Sequence, residues 1–135
     1  NMGLIYYDQK KYETSVKHFS RLILQKDFTG LSINFQLKIL ISEIIIRYEL
    51  NQLDLVEERI DIVYKKYKDI VNESSREKEI LIIIRKLIYC NNIKTNKELS
   101  SRIKKLISIT SSENAQNIDI INYNDWLEKK VENLT

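Results

Sequence analysis

The chain of 135 residues has no proline, two glycines, one cysteine, one histidine and one tryptophan. With glycine only at Gly3 and Gly30, it lacks the breakers that turn-rich β-sandwiches and barrels place every few residues. The same scarcity removes the glycine-rich loops that cradle phosphates and dinucleotides. Cys90 alone cannot make an internal disulfide, and His18 alone cannot build a histidine metal cluster. No apolar run approaches the roughly 18 residues of a membrane helix. The isoleucine-dense stretches 44–46 and 80–84 are closed by Glu43 and Arg47 and by Glu79 and Arg85.

What is present is the balance of a globular domain: 43% hydrophobic and 30% charged residues in a length suited to one domain. The net charge of +3 is unevenly spread, since residues 64–105 carry 12 basic and 5 acidic side chains, a local balance of +7. That middle third is the only candidate for an anionic partner. Abundant Ile, Lys and Asn suggest an AT-rich bacterial genome. The chain opens on Asn1-Met2-Gly3, which reads as the C-terminal part of a longer protein. The solitary cysteine points to a reducing, cytoplasmic compartment.

Apolar spacing is helical nearly throughout. Leu53, Val56, Ile60, Val63, Tyr67 and Ile70 recur at steps of three and four, which predicts one amphipathic helix over 53–70. Similar stripes predict helices over 12–26 and 96–109. Residues 31–50 and 75–90 are apolar over most of a helix circumference, the pattern of helices sandwiched between neighbours. Isoleucine favours strands by propensity, but both stretches are too long for ordinary strands. Ser74 to Glu77, Thr95 to Glu98 and Asp125 to Glu128 fit capping boxes at helix starts. Breaks are expected at 27–30, 50–53, 71–75, 91–95 and 110–113, so successive helices form antiparallel hairpins.

Tyr7, Tyr48 and Tyr89 recur at an interval of 41 residues. Each closes an apolar helix and precedes a short polar turn and an amphipathic helix, an internal repeat. In the first unit, Gly3, Tyr6, Tyr12, Ser15 and Phe19 have the spacing through which the chain resembles the tetratricopeptide repeat family. The later units depart from that pattern, with Ile44 and Arg85 for the glycine and Val56 and Leu99 for the small residue. The period also exceeds the family's 34. The resemblance implies an all-α fold of antiparallel helix hairpins stacked as a right-handed tetratricopeptide-like α-solenoid. Its expected units are 2–29, 30–72 and 73–110 within a single domain spanning 1–135. Segment 111–135 is expected to supply a C-terminal capping helix anchored by Trp126, with Ile118, Ile120, Ile121, Leu127 and Val131 completing the cap.

The resemblance further implies that first helices line a concave groove gripping a peptide or partner helix. In that register Tyr7, Asp8, Ile45, Tyr48, Glu49, Lys86 and Tyr89 are the candidate contacts, with Cys90 beside them. Tyrosines suit such a role, burying area at low entropic cost; the competing reading is that these rings close the core between helices. The expected function is therefore protein–protein interaction or scaffolding, with self-association a further option. An alternative is binding of nucleic acid or another polyanion through segment 64–105, using Lys65, Lys66, Lys68, Arg102, Lys104 and Lys105. His18 reads as a surface histidine, Cys90 as a small core or turn residue, and Glu57 with Asp61 as an exposed carboxylate pair. No nucleophile is paired with an activating base, so neither enzymatic activity nor a cofactor or metal is expected.

Overall fold

The computed structural model describes residues 2–108 and 119–132. Eight α-helices and no strand occur among them: α1 (Met2–Asp8), α2 (Tyr12–Leu24), α3 (Ile33–Glu49), α4 (Leu53–Lys66), α5 (Lys68–Glu73), α6 (Ser75–Ile88), α7 (Lys97–Ser108) and α8 (Tyr123–Glu132). Short 3-10 turns cover Lys26–Gly30 and Ile93–Thr95. The isoleucine-dense stretches are thus helical, as their length demands. The break expected at 110–113 and the cap residue Ile118 lie outside the described residues. The chain divides into two compact units, Asn1–Glu77 and Lys78–Thr135, with the division inside α6.

In the first unit α1 packs on α2, α2 on α3, and α3 on α4. Side-chain contacts fix their antiparallel sense. The buried Ser15 hydroxyl of α2 donates to the Gly3 carbonyl of α1 at 2.6 Å. Ser20 donates to Glu43 across α2 and α3 at 3.1 Å, and Tyr67 donates to Gln36 beside α3 and α4 at 2.9 Å. Each pairing is centred on the connection between its two helices, as in an antiparallel hairpin. Small residues at Gly3 and Ser15 let the first pair approach closely. Ile44 and Val56 occupy the corresponding places in α3 and α4 and are fully buried.

Every residue of α3 from Gln36 to Ile46 is buried, which accounts for its apolar circumference. Val16 and Phe19 of α2 and Val56, Ile60 and Val63 of α4 are buried with it. The helix expected over 53–70 is interrupted at Tyr67, where φ is −120° and ψ 27°. The break buries Val71 and leaves Ile70 half-exposed, shifting the apolar stripe by one residue. The Tyr67 hydroxyl meets Gln36 at this break.

In the second unit, α7 buries Leu99, Ile103 and Leu106 and packs against α8. Ile121, Tyr123, Trp126 and Leu127 are buried, while Ile120 and Val131 are half-buried. Two expected caps fall elsewhere. α7 is capped by Asn96, whose side-chain oxygen accepts from the Leu99 amide at 3.0 Å. Thr95 instead turns back to the Asn92 carbonyl at 3.1 Å. α8 is capped by Asn122, which accepts from the Asp125 amide at 3.0 Å, so Asp125 lies within the first turn. Asparagine caps as well as serine or threonine, and here it stands nearer the helix start.

Candidate partner-binding surface

Two turns of the first unit have the same backbone design. After α1, the Lys11 amide donates to the Tyr6 carbonyl and the Lys10 amide to Tyr7, both at 2.9 Å. After α3, the Gln52 amide donates to Arg47 and the Asn51 amide to Tyr48, both at 3.0 Å. These are Schellman closures, whose bonds satisfy the last helical carbonyls when one residue turns left-handed. Lys10 and Asn51 are those residues, with φ of 61° and 60°. The spacing of 41 residues seen in the tyrosines therefore extends to every backbone bond of the turn. Tyr7 and Tyr48 occupy one position of it; Asp8 and Glu49 occupy the next.

Around these turns the Tyr7 and Tyr12 rings meet at 5.8 Å, tilted by 56°. Burial, and less strongly the Glu49 carboxylate, pushes the Tyr12 phenol above its ordinary range. The acid of the second turn thus acts electrostatically on Tyr12, the residue that opens α2 after the first turn. Tyr7, Tyr12, Tyr48 and Glu49 are half-buried and Asp8 is exposed. The arrangement sets half-buried tyrosines beside acidic residues. On the neighbouring side of α1, Tyr6 stacks on His18 at 5.2 Å, and the Lys11 ammonium lies 6.0 Å from the Tyr6 ring centre. His18 is half-exposed.

The remaining candidates fall in other settings. Ile45 is fully buried and offers no contact surface, because α3 is enclosed on all sides at that level. Lys86 and Tyr89 belong to the second unit. Lys86 pairs with Glu98 at 3.3 Å, and Tyr89 is 69% exposed. The third turn lacks the left-handed residue: Asn92 is extended, with φ −152°, and caps the following 3-10 turn through the Lys94 amide. Cys90 is half-buried there, its sulfur accepting from the Asn96 side-chain Nδ2 at 3.9 Å.

The basic segment is likewise divided. Lys65, Lys66 and Lys68 are exposed in the first unit, whereas Arg102, Lys104 and Lys105 lie on α7 in the second. Arg102 is engaged by Glu79 at 2.9 Å and by Glu98 at 3.6 Å, leaving Lys104 and Lys105 as the exposed cations of that trio. Glu57 is half-buried and Asp61 exposed on α4. No group of three or more His, Cys, Asp or Glu residues among those described could hold a metal ion. No helix among them is long and apolar enough to cross a membrane.

One polar feature carries no sequence signature that the apolar periodicity could reveal. Glu43 is 2% exposed in its side chain, yet its Oε2 accepts from Ser20 at 3.1 Å and from Arg47 at 3.2 Å. Arg47 also donates to Gln52 at 2.8 Å and to Ser20 at 3.2 Å, while Arg59 lies 3.7 Å from Glu43 Oε1. The group joins α2, α3 and α4 beneath the second turn. Its interval hint is the i, i+4 pair Glu43 and Arg47, inside an isoleucine run where a charge needs a partner.

No protein-family model matches the chain, and no curated protein or solved structure is detectably similar to it.

Proposed function

We propose that the chain is a helical-repeat interaction module of tetratricopeptide-like type that holds a peptide or helix of another protein. The tyrosine-bearing turns of the first unit are its contact surface. The observation that carries this reading is the repeated turn, which presents Tyr7 and Tyr48 at one station with neither ring buried. Each tyrosine comes with an acid at the next position, Asp8 or Glu49. Half-buried tyrosines on a fixed turn lose little entropy on binding and supply both apolar area and a hydroxyl. Glu49 and Asp8 favour partner segments carrying lysine or arginine.

The test is a pull-down with the protein as bait, comparing wild type with Tyr7→Ala and Tyr48→Ala. Loss of a captured partner at unchanged melting temperature supports contact residues. Retention of the partner by both variants refutes the surface, and a lowered melting temperature with partner retained assigns the rings to packing.

A further inference from the structure

The opposite end of the first unit collects side chains that the tyrosine surface does not use. There α2 ends, α3 begins and α4 ends, because the three helices alternate in direction. α2 alone has 13 residues, so this end is about 20 Å from the turns bearing Tyr7 and Tyr48. Three large apolar residues, at the last residue of α2 and in the first turn of α3, are exposed: Leu24 by 84%, Ile33 by 53% and Phe35 by 43%. The Tyr67 hydroxyl bond to Gln36 holds the C-terminus of α4 against the first turns of α3. It thereby brings Lys65, Lys66 and Lys68 to the same end. All three lysines are exposed, and none forms an ion pair or side-chain hydrogen bond among the described residues. Lys26 and Arg21 add two more exposed cations, while Asp27, Asp61, Asp69 and Glu73 are the exposed acids within five residues of these five, so the end is net positive by one and its positive charge is concentrated at Lys65, Lys66 and Lys68.

We infer that this end of the first unit docks on an anionic lipid bilayer surface. Single exposed apolar residues are ordinary, but three at the end of a helical unit that also carries three exposed lysines is a different matter. The two kinds of side chain suit the two layers of a membrane interface. Leucine, isoleucine and phenylalanine enter the boundary between headgroups and acyl chains. Lysine stems lie along apolar surface while their ammonium groups stay at the phosphate level. A nucleic acid meets the lysines equally well and leaves Leu24 and Ile33 without a complementary surface, since neither offers a stacking plane or a polar group. The charge selects an anionic surface, and the aliphatic residues select lipid among anions. This is peripheral attachment of a folded unit, with no helix entering the hydrocarbon core.

Co-sedimentation with vesicles decides the matter, comparing equal parts phosphatidylcholine and phosphatidylglycerol with phosphatidylcholine alone. The protein is expected to sediment with the mixed vesicles and remain in solution with the neutral ones. Two triple variants separate the contributions: Lys65→Glu, Lys66→Glu, Lys68→Glu, and Leu24→Ser, Ile33→Ser, Phe35→Ser. The first should lower partitioning by about 100-fold or more, and the second by about tenfold or more. All six positions are exposed, and circular dichroism melting shows whether each variant keeps its fold. Absence of binding to the mixed vesicles overturns the inference. So does full retention by the serine variant, which leaves a charge-only surface suited to nucleic acid or an acidic protein. Should a triple variant unfold, single Leu24→Ser and Lys66→Glu changes replace it with the same two outcomes.

Discussion

Lys10 and Asn51 stand 41 residues apart and adopt φ of 61° and 60°, as the left-handed residues of two turns closed by the same backbone bonds. Left-handed backbone costs an ordinary side chain about 1–2 kcal/mol, less for asparagine and nothing comparable for glycine. Lys10→Gly should therefore stabilise the protein by about 0.5–1 kcal/mol, and Asn51→Gly by less. Asn51→Val should destabilise it by about 1–2 kcal/mol, because a β-branched residue is the worst occupant of that conformation. Urea unfolding followed by far-ultraviolet circular dichroism measures all three. A stabilising Asn51→Val would show that the turn is not held as described.

The same two residues show what was legible in the sequence. The tyrosine interval marked both turns because aromatic and apolar positions report burial, and burial follows helical period. α2 to α4 and α6 to α7 were visible for that reason. The third turn was not, since Asn91 and Asn92 resemble Asn51 in type. The local choice of Asn92 to cap Lys94 sends the chain into a 3-10 turn instead. Tyr67 reads as one more position of a continuous stripe over 53–70, whereas it stands half-buried at the break after α4; periodicity cannot see the hydrogen bond to Gln36 made there. Ile45 was misplaced on the contact surface because a helix apolar all round has no readable outward face. Of the Glu43 group only the i, i+4 pair with Arg47 was legible; Ser20, Gln52 and Arg59 come from other segments and meet it only after packing.

That group gives a second prediction. Glu43 faces two arginines and a serine in a nearly closed site, so Glu43→Ala leaves buried positive charge uncompensated and should cost about 3–5 kcal/mol. Replacing both buried members of the pair, Glu43→Leu with Arg47→Met, removes the charges together. Arg59, 38% exposed in its side chain, can then turn to water. The double variant should recover most of the loss in urea unfolding. If it is as unstable as Glu43→Ala, the group contributes attraction beyond its own desolvation.

Alkaline pH offers a third test through two phenols. Burial raises Tyr67, and burial with the Glu49 carboxylate raises Tyr12, above the ordinary value of 10.0. In the unfolded chain both ionise at the ordinary value, while the folded protein keeps its protons longer. The stabilisation is therefore fully present below pH 10.0 and is lost as pH rises toward the folded-state values. Stability should fall as pH climbs above that point. Tyr12→Phe and Tyr67→Phe should each flatten the decline and delete one late component from the phenolate absorbance titration. A titration unchanged in its late portion would contradict the placement of both rings.

Trp126 provides the fourth, within the second unit. It is 3% exposed on α8, and the Lys130 ammonium lies 5.8 Å from its ring centre. α8 has only 10 residues, too few to be stable as an isolated helix in water. Its order must come from burying Tyr123, Trp126 and Leu127, with Asn124 reaching the Ile107 carbonyl of α7 at 3.5 Å. Trp126→Ala should cost about 3 kcal/mol or more, whereas Lys130→Ala should cost only about 0.5–1 kcal/mol. As the sole tryptophan, Trp126 also reports on docking directly. Wild-type emission should be blue-shifted, and Leu127→Ala should move it toward the solvent-exposed value before the rest of the protein loses its helical signal. Red-shifted emission from the wild type would mean that α8 is not seated on α7.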